Sequence, residues 1–186
     1  TETFQKCTSW NKNIQNHNNY ISKDKICFYN KEKYKFLTCG SAIDEDNSLI
    51  TELTIGKNNI IEFMKGIHGY NQIVAIDISF NDEFLVSCGE DKYLKAWNIK
   101  SKKLILVFKY NTLIWSIKFS PNANYVLSGD SNNEIKIFCF KTKKLLFDSK
   151  LKGSSIYSIS WNLTGNNFIA GCRLKEIKIF EFKSKT

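Results

Sequence analysis

The chain has 186 residues, is 42% hydrophobic and 14% aromatic, and carries a formal net charge of +9. That is enough apolar material for one domain with its own core and excludes a disordered chain, while the absence of any run of about 18 apolar residues excludes a membrane-spanning helix. The charge invites a nucleic-acid reading, but Arg173 is the one arginine among 27 basic residues; phosphate and base recognition draw on arginine's planar fork, so scattered lysines read as a solvated surface and argue against direct nucleic-acid binding.

No secretory signal opens the sequence, and its start at Thr1 suggests a trimmed or incomplete chain. The first alternating segment is FQKCTSW (4–10), which ends in Trp10. Residues 11–34 follow as an Asn/Lys-rich insertion, whose low-complexity NKNIQNHNNY (11–20) is expected to form a surface loop. KFLTCGS (35–41), SLITELTI (48–55) and NIIEFMK (59–65) then complete a first four-stranded unit, residues 1–65. The second unit, 66–109, holds AIDISFNDEFLVSCGEDKYLKAWNI and KLILVFK; the third, 110–150, holds IWSIKFSPNANYVLSGDSNNEIKIFCF and KLLFDSK. The fourth, 151–186, holds IYSISWNLTGNNFIAGCRLKEIKIFEF and no fourth strand. Each unit reads as three short strands, a, b and c, split by Asn, Asp, Gly or Ser turns, and in the first three units a fourth strand follows them. Strand a is expected to end at Phe80, Phe119 or Trp161, and Gly89, Gly129 and Gly171 to recur at one position in strand b.

Six cysteines are present, none in a CxxC pair, and His17 and His68 are the only histidines, so zinc spacing is absent and no cofactor is expected. Cys39, Cys88 and Cys172 adjoin glycines in strand b and are expected to be buried, reduced thiols of an intracellular protein.

Four-stranded units of about 40 residues with an aromatic ending strand c resemble WD-repeat propeller blades. The expected fold is all-β: a WD-repeat β-propeller of four recognisable four-stranded blades, partial relative to a seven-bladed ring. The second unit carries the marks most clearly, in GIHG (66–69) and CGEDKYLKAWN (88–98). By that resemblance His68, Ser87, Asp91 and Trp97 form a structural hydrogen-bonded network that ties the blade together. His68 has no nucleophile at catalytic spacing, and a non-enzyme is expected.

A narrower resemblance lies within that family. FKYNTLIWSIKFS (108–120), SSIYSISWNLTGNNFIAGC (154–172), KYLKAWNIKSKKLILVF (92–108), ETFQKCTSW (2–10) and HGYNQI (68–73) are similar to blades of the Polycomb proteins known as extra sex combs or embryonic ectoderm development. The resemblance implies a nuclear, non-catalytic scaffold of a repressive histone methyltransferase complex. Its partners would be the catalytic subunit, other protein subunits and the histone H3 tail, whose trimethyl-lysine sits in an aromatic cage. Trp115 matches the cage tryptophan, Ser116 replaces the tyrosine that follows it, and the first-strand tyrosine falls on Gln5 or Lys6. Blades that separate the WNI and Ile-Trp blades in that family do not intervene here, so this would be a shortened or incompletely captured relative. Tyr157, at the strand-a position equivalent to Trp115, and Phe4 are the candidates to replace the lost rings. Two readings stay open at Trp115, a cage wall or a core plug. The alternative function is a generic WD-repeat scaffold in RNA processing or another multi-subunit assembly.

Overall fold

The computed structural model describes residues 26–32, 34–41, 48–55, 60–152, 155–173 and 176–183. Their strands alternate apolar and polar residues at a period of two, and Asn-, Ser- and Gly-bearing turns fold each strand back on the last, so every sheet is an antiparallel meander. The first sheet contains β1 (Ile26–Phe28), β2 (Lys35–Ser41), β3 (Ser48–Thr54) and β4 (Ile60–Lys65). The second contains β5 (Ile73–Ile78), β6 (Phe84–Gly89), β7 (Tyr93–Asn98) and β8 (Leu104–Lys109). The third contains β9 (Ile114–Phe119), β10 (Tyr125–Asp130), β11 (Glu134–Cys139) and β12 (Lys144–Lys150), and the fourth β13 (Ile156–Trp161), β14 (Asn167–Cys172) and β15 (Ile177–Glu181).

Each sheet packs face to face on the next, with β1 and β2 against β5, β5 and β6 against β9, and β9 and β10 against β13. The first strands therefore run side by side along the inner line of an arc: a partial β-propeller of four blades. Three apolar clusters fill the three joints. The first joins Leu37 and Ile50 to Ile73 and Ile76; the second joins Val86 and Leu94 to Ile114 and Ile117; the third joins Leu127 and Ile135 to Ile156 and Ile159. Carboxylates clasp two joints from outside. Asp82 accepts the backbone N–H groups of Asn30 at 2.8 Å and Lys31 at 2.6 Å, and Asp77 accepts Phe119 N–H at 2.8 Å and Lys118 Nζ at 2.9 Å.

The register differs from the sequence reading in three places. Residues 26–28 lie within the stretch read as an insertion between strands, yet they form β1, pairing Cys27 with Leu37 and Phe28 with Phe36. The sheet needs only three residues there, too few for alternation to show; residues 4–10 and 11–25 lie outside the described residues. The end of strand a is Ile78, which pairs with Leu85 as Phe119 pairs with Val126 and Trp161 with Phe168, whereas Phe80 is exposed in the turn. Turn chemistry sets this: the hydroxyl oxygens of Ser79 and Ser120 accept the amides of Phe84 and Tyr125, and Asn162 Oδ1 accepts that of Asn167. Finally, Gly129 and Gly171 pair with Ser116 and Ser158, but the residue paired with Ala75 is Cys88, so Gly89 stands one step further along than the other two glycines. Of the strand-b cysteines, Cys39 and Cys88 are buried and Cys172 is only partly so; Cys172 belongs to the last blade, which has no described neighbour on its far side.

Candidate functional site

The loop between β4 and β5 carries His68 into the interior, where its backbone N–H donates to Ser48 Oγ at 2.8 Å. Its side chain lies between Asp91, in the tight turn after β6, and Ser87 within β6. Nδ1 stands 2.8 Å from Asp91 Oδ1, and Nε2 stands 2.8 Å from Ser87 Oγ. Trp97 Nε1, on β7, donates to the same Ser87 oxygen at 3.1 Å. A carboxylate only accepts, so Nδ1 carries the proton and Nε2 receives the Ser87 hydroxyl hydrogen. The chain of donors then runs without conflict from Trp97 through Ser87 and His68 to Asp91. Lys95 completes it, giving Nζ hydrogens to Asp91 Oδ2 at 2.9 Å and to the Ile67 carbonyl at 2.7 Å.

The order of groups is that of a hydrolase triad, but its setting suits a clamp. Ser87 and His68 are fully buried, and the Ser87 oxygen is occupied by the Trp97 indole, so no substrate atom reaches it. What the four groups do is satisfy one another while fastening the entry loop, β6 and β7. Among the described residues no group of three His, Cys, Asp or Glu side chains stands together to hold a metal ion.

Burial pushes the His68 imidazole below the ordinary histidine range, against the pull of Asp91. Burial also works to raise Asp91, but the bonds from His68, Lys95 and the Tyr93 amide hold its carboxyl below the usual value. Folded His68 thus stays neutral where unfolded histidine, with a pKa near 6.5, takes up a proton. Stability is expected to fall as pH drops from about 7 to about 5, by at most about 1.4 kcal/mol per unit from this imidazole, with a further loss in stronger acid as Asp91 protonates. Urea unfolding across that range should show the slope, and the His68→Asn variant should flatten it above pH 5.

One repeat further on, sequence reasoning missed a counterpart. Tyr110 precedes β9 as His68 precedes β5, and its hydroxyl meets Ser128 Oγ at 2.5 Å. Ser128 pairs within β10 and β9 as Ser87 does within β6 and β5, and Phe138 stands where Trp97 does. The signal was present in the spacing of Tyr110, Ser128 and Phe138, but a search for histidine passes over it. The phenol is buried, which pushes its pKa up and keeps it neutral.

The inner strands hold a second feature. In β9 the register shifts around Trp115, so that Ser116 pairs with Gly129 and Ile114 with Asp130 and Trp115 itself is bulged. The same shift bulges Val74 in β5 and Tyr157 in β13. Equivalent bulges on neighbouring blades bring Trp115 and Tyr157 together: their ring centroids are 5.6 Å apart and the planes meet at 77°. Tyr157 is half-exposed, whereas Trp115 is partly buried with an Nε1 that has no hydrogen-bond partner. Ser116 is fully buried beneath them and accepts the Ile159 amide at 3.4 Å. Phe4 lies outside the described residues.

Comparison with known proteins agrees with this architecture. Residues 62–98 and 102–139 match the family model for the WD domain, G-beta repeat. An uncharacterised WD repeat-containing protein of Schizosaccharomyces pombe is 29% identical over 86 residues, which is 45% of this chain and 14% of that protein. A striatin homolog of Dictyostelium discoideum is 28% identical over 109 residues, 56% of this chain and 13% of that protein. The matched segments thus span about one-seventh of these relatives' own length. Residues 62–98 and 102–139 thus carry WD40 repeats, within an all-β fold of four antiparallel sheets consistent with a partial β-propeller.

Proposed function

We propose that this chain is a non-catalytic protein-interaction scaffold within a multi-subunit assembly, and that it holds a peptide where Trp115 meets Tyr157. The observation that carries the reading is the perpendicular pair of rings at equivalent bulges of adjacent inner strands. Two ring faces at a right angle form a corner, and a cation seated in it is attracted by both quadrupoles, at about 0.5–2 kcal/mol per ring. A quaternary ammonium suits such a corner because it makes no ordinary hydrogen bonds. That chemistry, with the Polycomb-like segments around both residues, favours a finer reading: a nuclear reader of methylated lysine on the histone H3 tail, bound beside a histone methyltransferase catalytic subunit.

Fluorescence titration with trimethyl-lysine and unmodified H3 peptides tests it. The trimethylated peptide is expected to bind about tenfold or more tighter, and Trp115→Ala or Tyr157→Ala should erase the difference. Equal binding of the two peptides by the unaltered chain would remove the methyl-lysine reading. Co-purification with splicing or ribosome-assembly factors, and no methyltransferase, would place the scaffold in RNA processing instead.

A further inference from the structure

We infer that the rim of the second and third blades, on the side away from Trp115 and Tyr157, is a docking surface for an acidic segment of a protein partner that also carries apolar side chains. Sequence order scatters the lysines, but the repeat gathers six of them here. The turn from β7 to β8 is Lys100-Ser101-Lys102-Lys103, and the turn from β11 to β12 contains Lys141-Thr142-Lys143-Lys144. The two turns are one structure built twice. Ile99 N–H donates to the Glu83 carbonyl at 2.9 Å, as Phe140 N–H donates to the Asn124 carbonyl at 2.7 Å. Asn98 Oδ1 accepts the Ser101 amide, and Cys139 Sγ accepts the Thr142 amide in the same place. Lys102 and Lys143 adopt φ of 55° and 57°. That region suits glycine or asparagine and gives lysine no advantage, so turn geometry does not account for the charge.

Packing fixes both turns to one rim. Ile99, just before Lys100, packs on the first cluster. The Phe140 ring, just before Lys141, lies 4.7 Å from that of Phe84 in the second blade and 5.5 Å from that of Phe119 at the end of β9. Trp115 stands at the other end of β9, so the basic rim and the ring corner are separate surfaces. All six lysines are exposed, and among the described residues none of them stands in an ion pair; Lys102 Nζ lies instead 5.0 Å from the Phe63 ring centroid. Beside them, Glu83 accepts Asn81 Nδ2 at 2.8 Å and Asp148 pairs with Lys136 at 3.3 Å.

Both turns run straight into apolar residues. Leu104 and Leu145 pair with Trp97 and Phe138, and the register shift that follows bulges Ile105 and Leu146 out of their ladders. Leu104, Leu145 and Leu146 are 48%, 44% and 51% exposed. Charge and leucine side by side select the occupant. A run of aspartate or glutamate complements the unpaired ammonium groups, and apolar residues interspersed with it cover the leucines. A nucleic-acid backbone offers phosphates to the lysines and nothing to the leucines. Leucines half-sunk in their own sheets do not project far enough to enter a bilayer.

Anisotropy titration of the whole chain with a labelled peptide of glutamates interspersed with leucines tests the inference. The peptide is expected to bind, and more weakly as salt is raised. Lys141→Gln/Lys143→Gln/Lys144→Gln should weaken binding about tenfold or more. Lys92→Gln/Lys109→Gln/Lys152→Gln removes the same charge from exposed positions off this rim and should change it less than about twofold. Leu145→Ser/Leu146→Ser should weaken it about threefold or more, which a purely electrostatic surface would not show. An equal loss in the off-rim variant would reduce the effect to net charge and overturn the site. So would a peptide that does not bind. Polyglutamate without leucine, duplex DNA, or vesicles of equal parts phosphatidylserine and phosphatidylcholine binding as tightly as the peptide would each overturn the acidic, apolar occupant.

Discussion

Replacing Gly89 with alanine is expected to destabilise the fold by about 2–4 kcal/mol, read as a lower urea midpoint at unchanged slope. The added Cβ would stand 2.8 Å from His68 Nδ1 and 2.9 Å from the Gln72 carbonyl oxygen. The carbonyl cannot step aside, because it already accepts the Glu90 amide at 3.0 Å. His68 must therefore move, and its bonds to Asp91 and Ser87, both 2.8 Å, cannot follow a displaced ring. The fully buried Ser87 hydroxyl would lose its acceptor, and the partly buried Asp91 carboxylate would keep only Lys95 and the Tyr93 amide, a heavier cost than the hydrogen bonds themselves. Gly171→Ala is the control. Its Cβ would meet nothing nearer than the Ser158 carbonyl oxygen at 3.8 Å, and the change should stay within about 0.5 kcal/mol. If Gly89→Ala were equally neutral, the imidazole would not be the clamp described above.

That pair of glycines also shows what could be read from residues alone. The four units, and strands such as KFLTCGS at 35–41, were legible because alternation and turn residues are local signals. So were His68, Ser87, Asp91 and Trp97, whose spacing survives any small error in register. Register itself was not legible: an aromatic at Phe80 resembles the end of strand a, and only the Ser79 turn shows that the strand has already ended at Ile78. The bulges were likewise invisible, although they bring Trp115 to Tyr157, because a bulge is an agreement between two strands rather than a property of one. β1 escaped notice for a related reason, since three residues gain their identity from the partner strand and not from their own pattern. Tyr110 was missed because a phenol and an imidazole are different letters that place a donor or acceptor in the same spot.

Gly129→Ala is expected to open the joint between the third and fourth blades, at a cost of about 3 kcal/mol. At this ladder position Cys39 and Cys88 in the first two blades direct their thiols to the carbonyls of Ile73 and Ile114 on the blade that follows. In the third blade the position is Gly129, and Ile156 of the fourth comes so close that an added Cβ would lie 2.5 Å from its Cγ2 and 3.1 Å from its Cβ. Rotating the isoleucine relieves the first contact but not the second, because the Cβ is fixed to the backbone. Strands β10 and β13 must then separate, and Ile156 and Ile159, both buried in the third cluster, lose contacts with Leu127 and Ile135. Amide hydrogen exchange should accelerate across β13, β14 and β15 while β5 to β8 keep their protection, since the second cluster is untouched. Ile156→Ala alone leaves a cavity and should cost about 2–4 kcal/mol. Combined with Gly129→Ala, the new methyl occupies space that the isoleucine vacated, so the double variant should be at least about 1 kcal/mol more stable than the sum of the single losses predicts. Strict additivity would mean that the two side chains do not meet, and that the fourth blade is held to the third by something other than this contact.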